Sequence, residues 1–232
     1  MAAPEVHHGD ADGKRHAVRC RGLRRRLRHR EGNRRCHEPA CHICALFGIR
    51  WGLFQADRDT VTARDGFQYH RDNPRAACLE LAPEASWDVL HLLYFTGYAL
   101  WNYLCVPFLL AEPGFAAEEI SPWTEDGQIW RRLLVYLPAD VPTHSTEQVF
   151  YFDDAGLLRR LDYVPEILGG SGHAAHYCLD RRDFSGLIVP VRRRVYGRRE
   201  HNIPDTKCTF VEIGISALSL SGAPLHEIQE AL

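Results

Sequence analysis

The sequence predicts an α+β fold, mainly antiparallel β, in which a curved sheet or half-barrel packs on a long apolar helix. Three observations carry that expectation. Residues 147–164, EQVFYFDDAGLLRRLDYV, are two alternating apolar runs joined by Asp153-Asp154-Ala155-Gly156, the pattern of a β-hairpin. Further strand-like runs follow at short intervals, at 174–180, 187–196 and 209–218. Residues 89–111 contain no charged side chain, an apolar stretch of helix length.

The elements follow in chain order. Residues 1–50 hold twelve Lys+Arg against five Asp+Glu, whereas residues 51–232 hold sixteen against twenty-five, so a basic head precedes an acidic body. Residues 14–35 carry eleven basic side chains with almost no hydrophobic periodicity, and are not expected to join a core. The Arg-, His-, Cys- and Gly-rich texture reads as an irregular or disordered head, and also as what an out-of-frame translation of GC-rich DNA yields. A phosphate-binding arm, and a zinc site built from Cys36, Cys41 and Cys44 with His37 or His42, stay open as alternatives. The expected division is therefore a head over 1–50 and a single β-rich domain over 51–232.

Within the body, residues 61–81 read as edge strands and turns, punctuated by Asp65-Gly66 and Asp72-Asn73-Pro74. A helix is expected over 87–110, with Ser86 as N-cap and Pro107 near its far end. Its aromatic residues Tyr94, Phe95, Tyr98, Trp101 and Tyr103 encircle the axis, which implies contact on more than one side. His91, Asn102 and Pro107 dilute it as a membrane span, so a buried helix is the expected reading. An acidic link, EEISPWTEDGQIW, leads to a strand at 130–137 and then to the hairpin. The tail, 222–232, reads as a terminal helical turn. Eight cysteines are too widely spread to form a disulfide scaffold in a chain of this length, and free, mostly buried thiols are expected.

Period-two alternation sorts the strands into faces. Val149 and Tyr151 oppose Gln148, Phe150 and Phe152, so that strand is apolar on both sides and must be covered on both. Val189, Val191 and Val195 oppose Arg192, Arg194 and Tyr196. A polar face shared by His176, Asp180, Arg192, Arg194 and Glu212 follows from this parity.

Two resemblances rest on particular residues. The string WD-LH-YF-GYA-WNYL-PF, formed by Trp87, Asp88, Leu90, His91, Tyr94, Phe95, Gly97, Tyr98, Ala99, Trp101 to Leu104, Pro107 and Phe108, resembles that of an uncharacterised family of GC-rich bacteria. The succession of YFDDAGLLRR-DYV, a Gly-rich turn at Gly169-Gly170-Ser171-Gly172, AAHYCLD and GLIVPVRRRVYG is similar to the late strands of the LolA/LppX-like lipoprotein carriers. Together they cover about residues 65–219. The second resemblance implies an antiparallel sheet that curls over helices and holds acyl chains.

The functional expectation is the binding of a hydrophobic small molecule or lipid in the concavity of the sheet. The ligand-binding candidates are Tyr94, Tyr98, Trp101, Tyr151, Arg192 and Arg194. The alternative is a cofactor-independent enzyme of secondary metabolism, a cyclase, isomerase or lyase, with His144 or His176 as acid or base and Asp180 beside His176. His173, His176 and Asp180 are also a possible metal set, but residues three apart on a strand point to opposite faces, and no metal is expected. Gly169–Gly172 lacks the Lys-Ser/Thr of a phosphate loop, and Ser145 and Ser171 lack a nucleophile-elbow setting. No cofactor, nucleic-acid partner or membrane partner is expected. Without a targeting signal in the first thirty residues, the expected location is cytoplasmic.

Overall fold

A computed structural model describes residues 18–24, 40–44, 51–82, 85–170, 172–184 and 186–221. The terminal turn expected over 222–232, and the Cys36 and His37 of the zinc reading, lie outside the described residues. The chain divides into two compact units. A helix unit takes in Val18–Glu112, Phe184–Leu187 and the chain from Ile215; a hairpin unit takes in Pro113–Asp183 and Ile188–Gly214.

In the helix unit, strands β1 (Val18–Arg24), β2 (Ala40–Cys44), β3 (Trp51–Gln55), β4 (Arg58–Thr62) and β5 (Gln68–Asp72) lie in reverse order beside the final strand, β12 (Pro204–Ser221). All pair antiparallel except β1 and β12, which run parallel from the Val18–Ile215 position onward. Strands β1 and β2 fall inside the stretch expected to be irregular. Asp65-Gly66 makes the expected turn between β4 and β5, closed by the bond from the Ala63 N–H to the Phe67 carbonyl at 2.8 Å.

A short helix, α1 (Pro74–Leu79), follows Asn73, which has φ +47. The sequence reading missed it, taking Pro74 for a turn residue when it starts the helix, where a missing N–H costs nothing.

The long helix, α2, runs over Val89–Cys105, shorter than the expected 87–110. Its N-cap is Asp88 rather than Ser86. The Asp88 carboxylate accepts from the N–H groups of Leu90 and His91 at 3.0 and 2.9 Å, and the Asp88 N–H donates to His91 Nδ1 at 3.2 Å. A cap of this kind contributes about 1 kcal/mol. Val106 turns extended ahead of Pro107, as the residue before a proline prefers, and ends the helix. Helix α2 packs on α1, β2, β3 and β4, and Gly97 lets it approach β3, because a Cβ there would stand 2.3 Å from Phe54 Cβ. Twelve residues of α2 are buried, among them Tyr94, Tyr98, Trp101 and Tyr103, so it is enclosed nearly all round, in keeping with its encircling aromatic pattern. Among the described residues no helix is long and apolar enough to cross a membrane.

The hairpin unit is a continuous antiparallel meander of β6 (Ala116–Glu125), β7 (Gln128–Tyr136), β8 (Glu147–Phe152), β9 (Leu158–Tyr163), β10 (Ala174–Phe184) and β11 (Leu187–Arg198), completed by the leading part of β12. The α+β, mainly antiparallel class is the class read from the sequence. Strand β6 is the correction: the acidic stretch read as a link pairs with β7 through Asp126-Gly127. Its register shifts between Ile120 and Trp123, where Pro122 interrupts the ladder, and an edge strand tolerates both the proline and the acidic side chains. The β8–β9 turn matches expectation: Gly156 takes φ +74, its N–H bonds the Asp153 carbonyl at 3.0 Å, and Asp153 Oδ1 accepts from the Leu157 N–H at 2.8 Å.

Candidate functional site

Pairing register decides which side chains of the hairpin unit meet. Strand β9 lies between β8 and β10, with Val149 opposite Asp162 and Tyr151 opposite Arg160 on one side, and Ala175 opposite Asp162 and Tyr177 opposite Arg160 on the other. Paired residues share a face, so Tyr151, Arg160, Asp162 and Tyr177 cluster on one face of the sheet. Phe150, Leu161, Tyr163 and His176 occupy the opposite face. Phe150 and Tyr151 are both fully buried, so β8 is covered on both faces as its composition requires.

On the first face Arg160 is completely enclosed. Its guanidinium grips Asp162 with two bonds, Nε to Oδ1 at 2.7 Å and Nη2 to Oδ2 at 3.0 Å, and donates to Glu125 at 3.0 Å and to the Asn202 carbonyl at 2.5 Å. It also lies 4.9 Å from the Tyr151 ring centroid and 5.4 Å from that of Tyr177. Tyr151 donates its hydroxyl to Asp162 at 2.7 Å, and burial together with that carboxylate pushes the phenol up to about 12. Burial also raises the Asp162 carboxyl, against the pull of Arg160. Tyr151, a ligand-binding candidate, is thus built into a charged core.

The opposite face holds the two histidine candidates. His144 lies flat on Tyr163, with ring centroids 4.0 Å apart and planes 1° from parallel. Tyr163 Oη is 3.3 Å from His176 Nδ1, and Arg193 Nη1 approaches His176 Nε2 at 3.5 Å and donates to Cys178 Sγ at 3.1 Å. Burial pushes His144 down to about 3, and burial with the neighbouring Arg193 and His144 pushes His176 well down, so both rings are neutral near pH 7. Tyr163 therefore links the two histidines, but Asp180 is elsewhere. Its backbone takes φ +42, which breaks the alternation of β10, and its exposed carboxylate faces Arg192 at 3.8 Å.

The expected polar face is corrected in one member. Arg192 and Arg194 share Glu212, at 3.0 and 3.2 Å from their Nε atoms, but His176 faces the buried side with Arg193. Tyr94, Tyr98 and Trp101 belong to the helix unit, where Tyr94 packs on Phe54 and on Tyr98. Cys78 and Cys178 are buried free thiols, and Cys105 is a half-buried one, as expected. Among the described residues no group of three metal-ligating side chains forms, and His173 and Asp180 are not assembled around His176.

Among the described residues of the hairpin unit there is a cleft with a volume of about 230 Å³. Gly172 and Gly197 supply backbone walls, Phe210 an apolar wall, and His173, Arg198, Arg199 and Asp205 the polar groups. The first two elements are locked together by the bond from the Arg198 N–H to the His173 carbonyl at 2.7 Å. Arg198 donates Nη1 to Asn202 Oδ1 at 2.6 Å and Nη2 to His173 Nδ1 at 3.3 Å, while its Nε stands 3.6 Å from Asp162 Oδ2. It thereby joins the cleft to the buried Arg160–Asp162 core. Arg199 is paired with Asp205 at the rim. The sequence reading missed Arg198 because nothing local separates it from the neighbouring Arg192, Arg193, Arg194 and Arg199; the one available signal was Gly197 just before it, where a Cβ would come 3.2 Å from the Phe210 ring.

No protein-family model matches the chain, and no curated protein matches it. Three solved structures are similar to it. A DUF1329 family protein from Desulfovibrio piger has 10% identity and a TM-score of 0.43, covering 68% of this chain and 64% of that one, so the chain spans just under two thirds of its length. A putative outer membrane lipoprotein-sorting protein domain from Vibrio parahaemolyticus has 9% identity and a TM-score of 0.47, covering 83% of this chain and 76% of that one. A LolA superfamily protein from Nitrosomonas europaea has 7% identity and a TM-score of 0.40, covering 71% and 67%.

Proposed function

We propose that this chain binds a hydrophobic, lipid-like small molecule through its antiparallel hairpin unit. The observation that supports this reading is the cleft beside Phe210, because it joins an apolar wall to a few convergent polar groups, the composition of a ligand site. Phe210 and Ile203 are 43% and 53% exposed, and the Ile203 carbonyl accepts the Arg199 N–H at 2.8 Å, so both apolar side chains belong to this corner of the sheet. At about 230 Å³ the cleft is smaller than the roughly 300–1,000 Å³ usual for a whole ligand. It therefore suits one end of a molecule whose remainder extends over apolar surface.

The acid–base alternative has less support, since His144 and His176 are enclosed, held neutral and without the expected Asp180 partner.

Binding of decan-1-ol and decanoate to the full chain, followed by calorimetry and by thermal unfolding, tests the reading. A ligand at a hundred times its Kd stabilises the fold by about 2.7 kcal/mol, which raises Tm by roughly 5–10 °C for a chain of this size. Absence of any heat or Tm shift with both compounds would remove the proposal.

A further inference from the structure

We infer that the cleft seats an oxyanion, a carboxylate or a phosphate, at the end of the apolar ligand, with Arg198 as its principal partner. The inference rests on the binding reading above and names the chemical class of the ligand's head.

Arg198 is held ready for such a partner. Its two Nη groups are bonded to neutral acceptors, Asn202 Oδ1 and His173 Nδ1. Its Nε–H is enclosed, makes no hydrogen bond among the described residues and stands 3.6 Å from Asp162 Oδ2, a carboxylate that already receives two bonds from Arg160 and one from Tyr151, so the donors left for a ligand are the second hydrogens of Nη1 and Nη2. Asp162 thus stabilises the arginine at a distance without occupying its donors. At the rim the Asp205 carboxylate is taken by Arg199. Among the residues lining the cleft no second carboxylate faces Arg198, whose charge is balanced from beneath by Asp162 at 3.6 Å.

The backbone around Arg198 is also held in a costly form. His201 and Asn202 take φ +57 and +60 in succession, a conformation that persists only when its surroundings impose it. The groups that impose it are Arg198, on Asn202 Oδ1, and Arg160, on the Asn202 carbonyl. Two buried or half-buried guanidiniums therefore fix one turn, and that turn fixes where the Arg198 fork points. A planar fork is suited to the two oxygens of a carboxylate or phosphate, and its ordering has been completed before the ligand arrives.

Calorimetric titration of the full chain with decanoate, decyl phosphate, decan-1-ol and inorganic phosphate tests the assignment. Decanoate or decyl phosphate is expected to bind at least about tenfold more tightly than decan-1-ol, the worth of one charge-assisted hydrogen bond. Arg198→Gln should abolish that preference, and Arg198→Lys should restore part of it. If Arg198→Gln fails to fold by circular dichroism, His173→Ala, which releases the Nη2 partner and leaves the Asp162 core intact, should lower the preference several-fold.

Equal binding of decanoate, decyl phosphate and decan-1-ol would overturn the oxyanion seat and leave the apolar reading standing. Inorganic phosphate binding as tightly as decyl phosphate would support the seat and overturn the apolar reading. No binding by any of the four would overturn both.

Discussion

Replacing Asp59 by asparagine should change how the stability of this chain depends on pH. Asp59 is wholly enclosed on β4, opposite Arg71 on β5, whose guanidinium is instead bound to Asp88 at 3.1 and 2.6 Å. Burial lifts the Asp59 carboxyl from 3.8 to about 8, and the Gln55 backbone N–H and the Arg71 charge offset only part of the rise. The fold then keeps a proton that the unfolded chain releases, so stability is full below about pH 4 and falls as pH rises through about 8. At about 1.4 kcal/mol per unit, the loss between pH 5 and pH 8 is on the order of 3–4 kcal/mol. Against a typical total of roughly 5–15 kcal/mol, that is a large fraction.

His144 and His176 act in the opposite sense, since their lowered values make stability fall below about pH 6.5. The wild-type curve is therefore a composite, and the difference between wild type and Asp59→Asn isolates the carboxyl. Asparagine matches the protonated acid in shape and charge. Urea unfolding of both chains at pH 5, 6, 7 and 8 should show the variant gaining about 3–4 kcal/mol on the wild type across the series. Parallel curves separated by a constant offset would refute the reasoning.

Other perturbations address other parts of the fold. His144→Phe keeps the stack on Tyr163 and removes the acid-side loss, so the fall in stability between pH 6.5 and pH 4.5 should shrink by about 2 kcal/mol in urea titrations. Arg160→Met leaves Asp162 buried without its partner and should cost about 3–5 kcal/mol at pH 7; a cost under about 1 kcal/mol would mean that the cluster is not coupled as its geometry implies. Gly97→Ala should lower Tm by several degrees through overpacking. Because the clash is with Phe54 Cβ, Phe54→Ala should not relieve it, whereas Phe54→Gly should.

How much could be read from the sequence depended on how local the cause was. The β8–β9 hairpin was legible because Asp153 and Gly156 act within four residues, through an Asx bond and a left-handed glycine. Helix α2 was legible as a charge-free run ended near Pro107. Its N-cap was not, because Ser86 and Asp88 are both capping residues by type, and only the structure shows that the Asp88 carboxylate reaches Leu90 and His91 and is held by Arg71. Strand β6 was hidden by Pro122 and acidic side chains that an edge strand tolerates. Arg193 was hidden among valines: alternation puts it on the apolar face, but nothing local shows that a guanidinium will be buried there.

The sequence by itself determined the α+β class, the order of the late strands and the positions of their turns. Alternation and turn chemistry act over two to four residues, and they survive without knowledge of neighbours. Tertiary structure alone decided which charged groups meet. Arg160 finds Glu125 35 residues away and the Asn202 carbonyl 42 residues away, contacts set by strand order and register. His176 joined the buried face for the same reason, since its pairing with Leu161 fixes its side of the sheet. The Arg198 cleft is the furthest case: its arginine is ordinary in sequence, and only the tertiary structure sets it above Asp162 and against the turn at His201 and Asn202, which two guanidiniums from different strands hold.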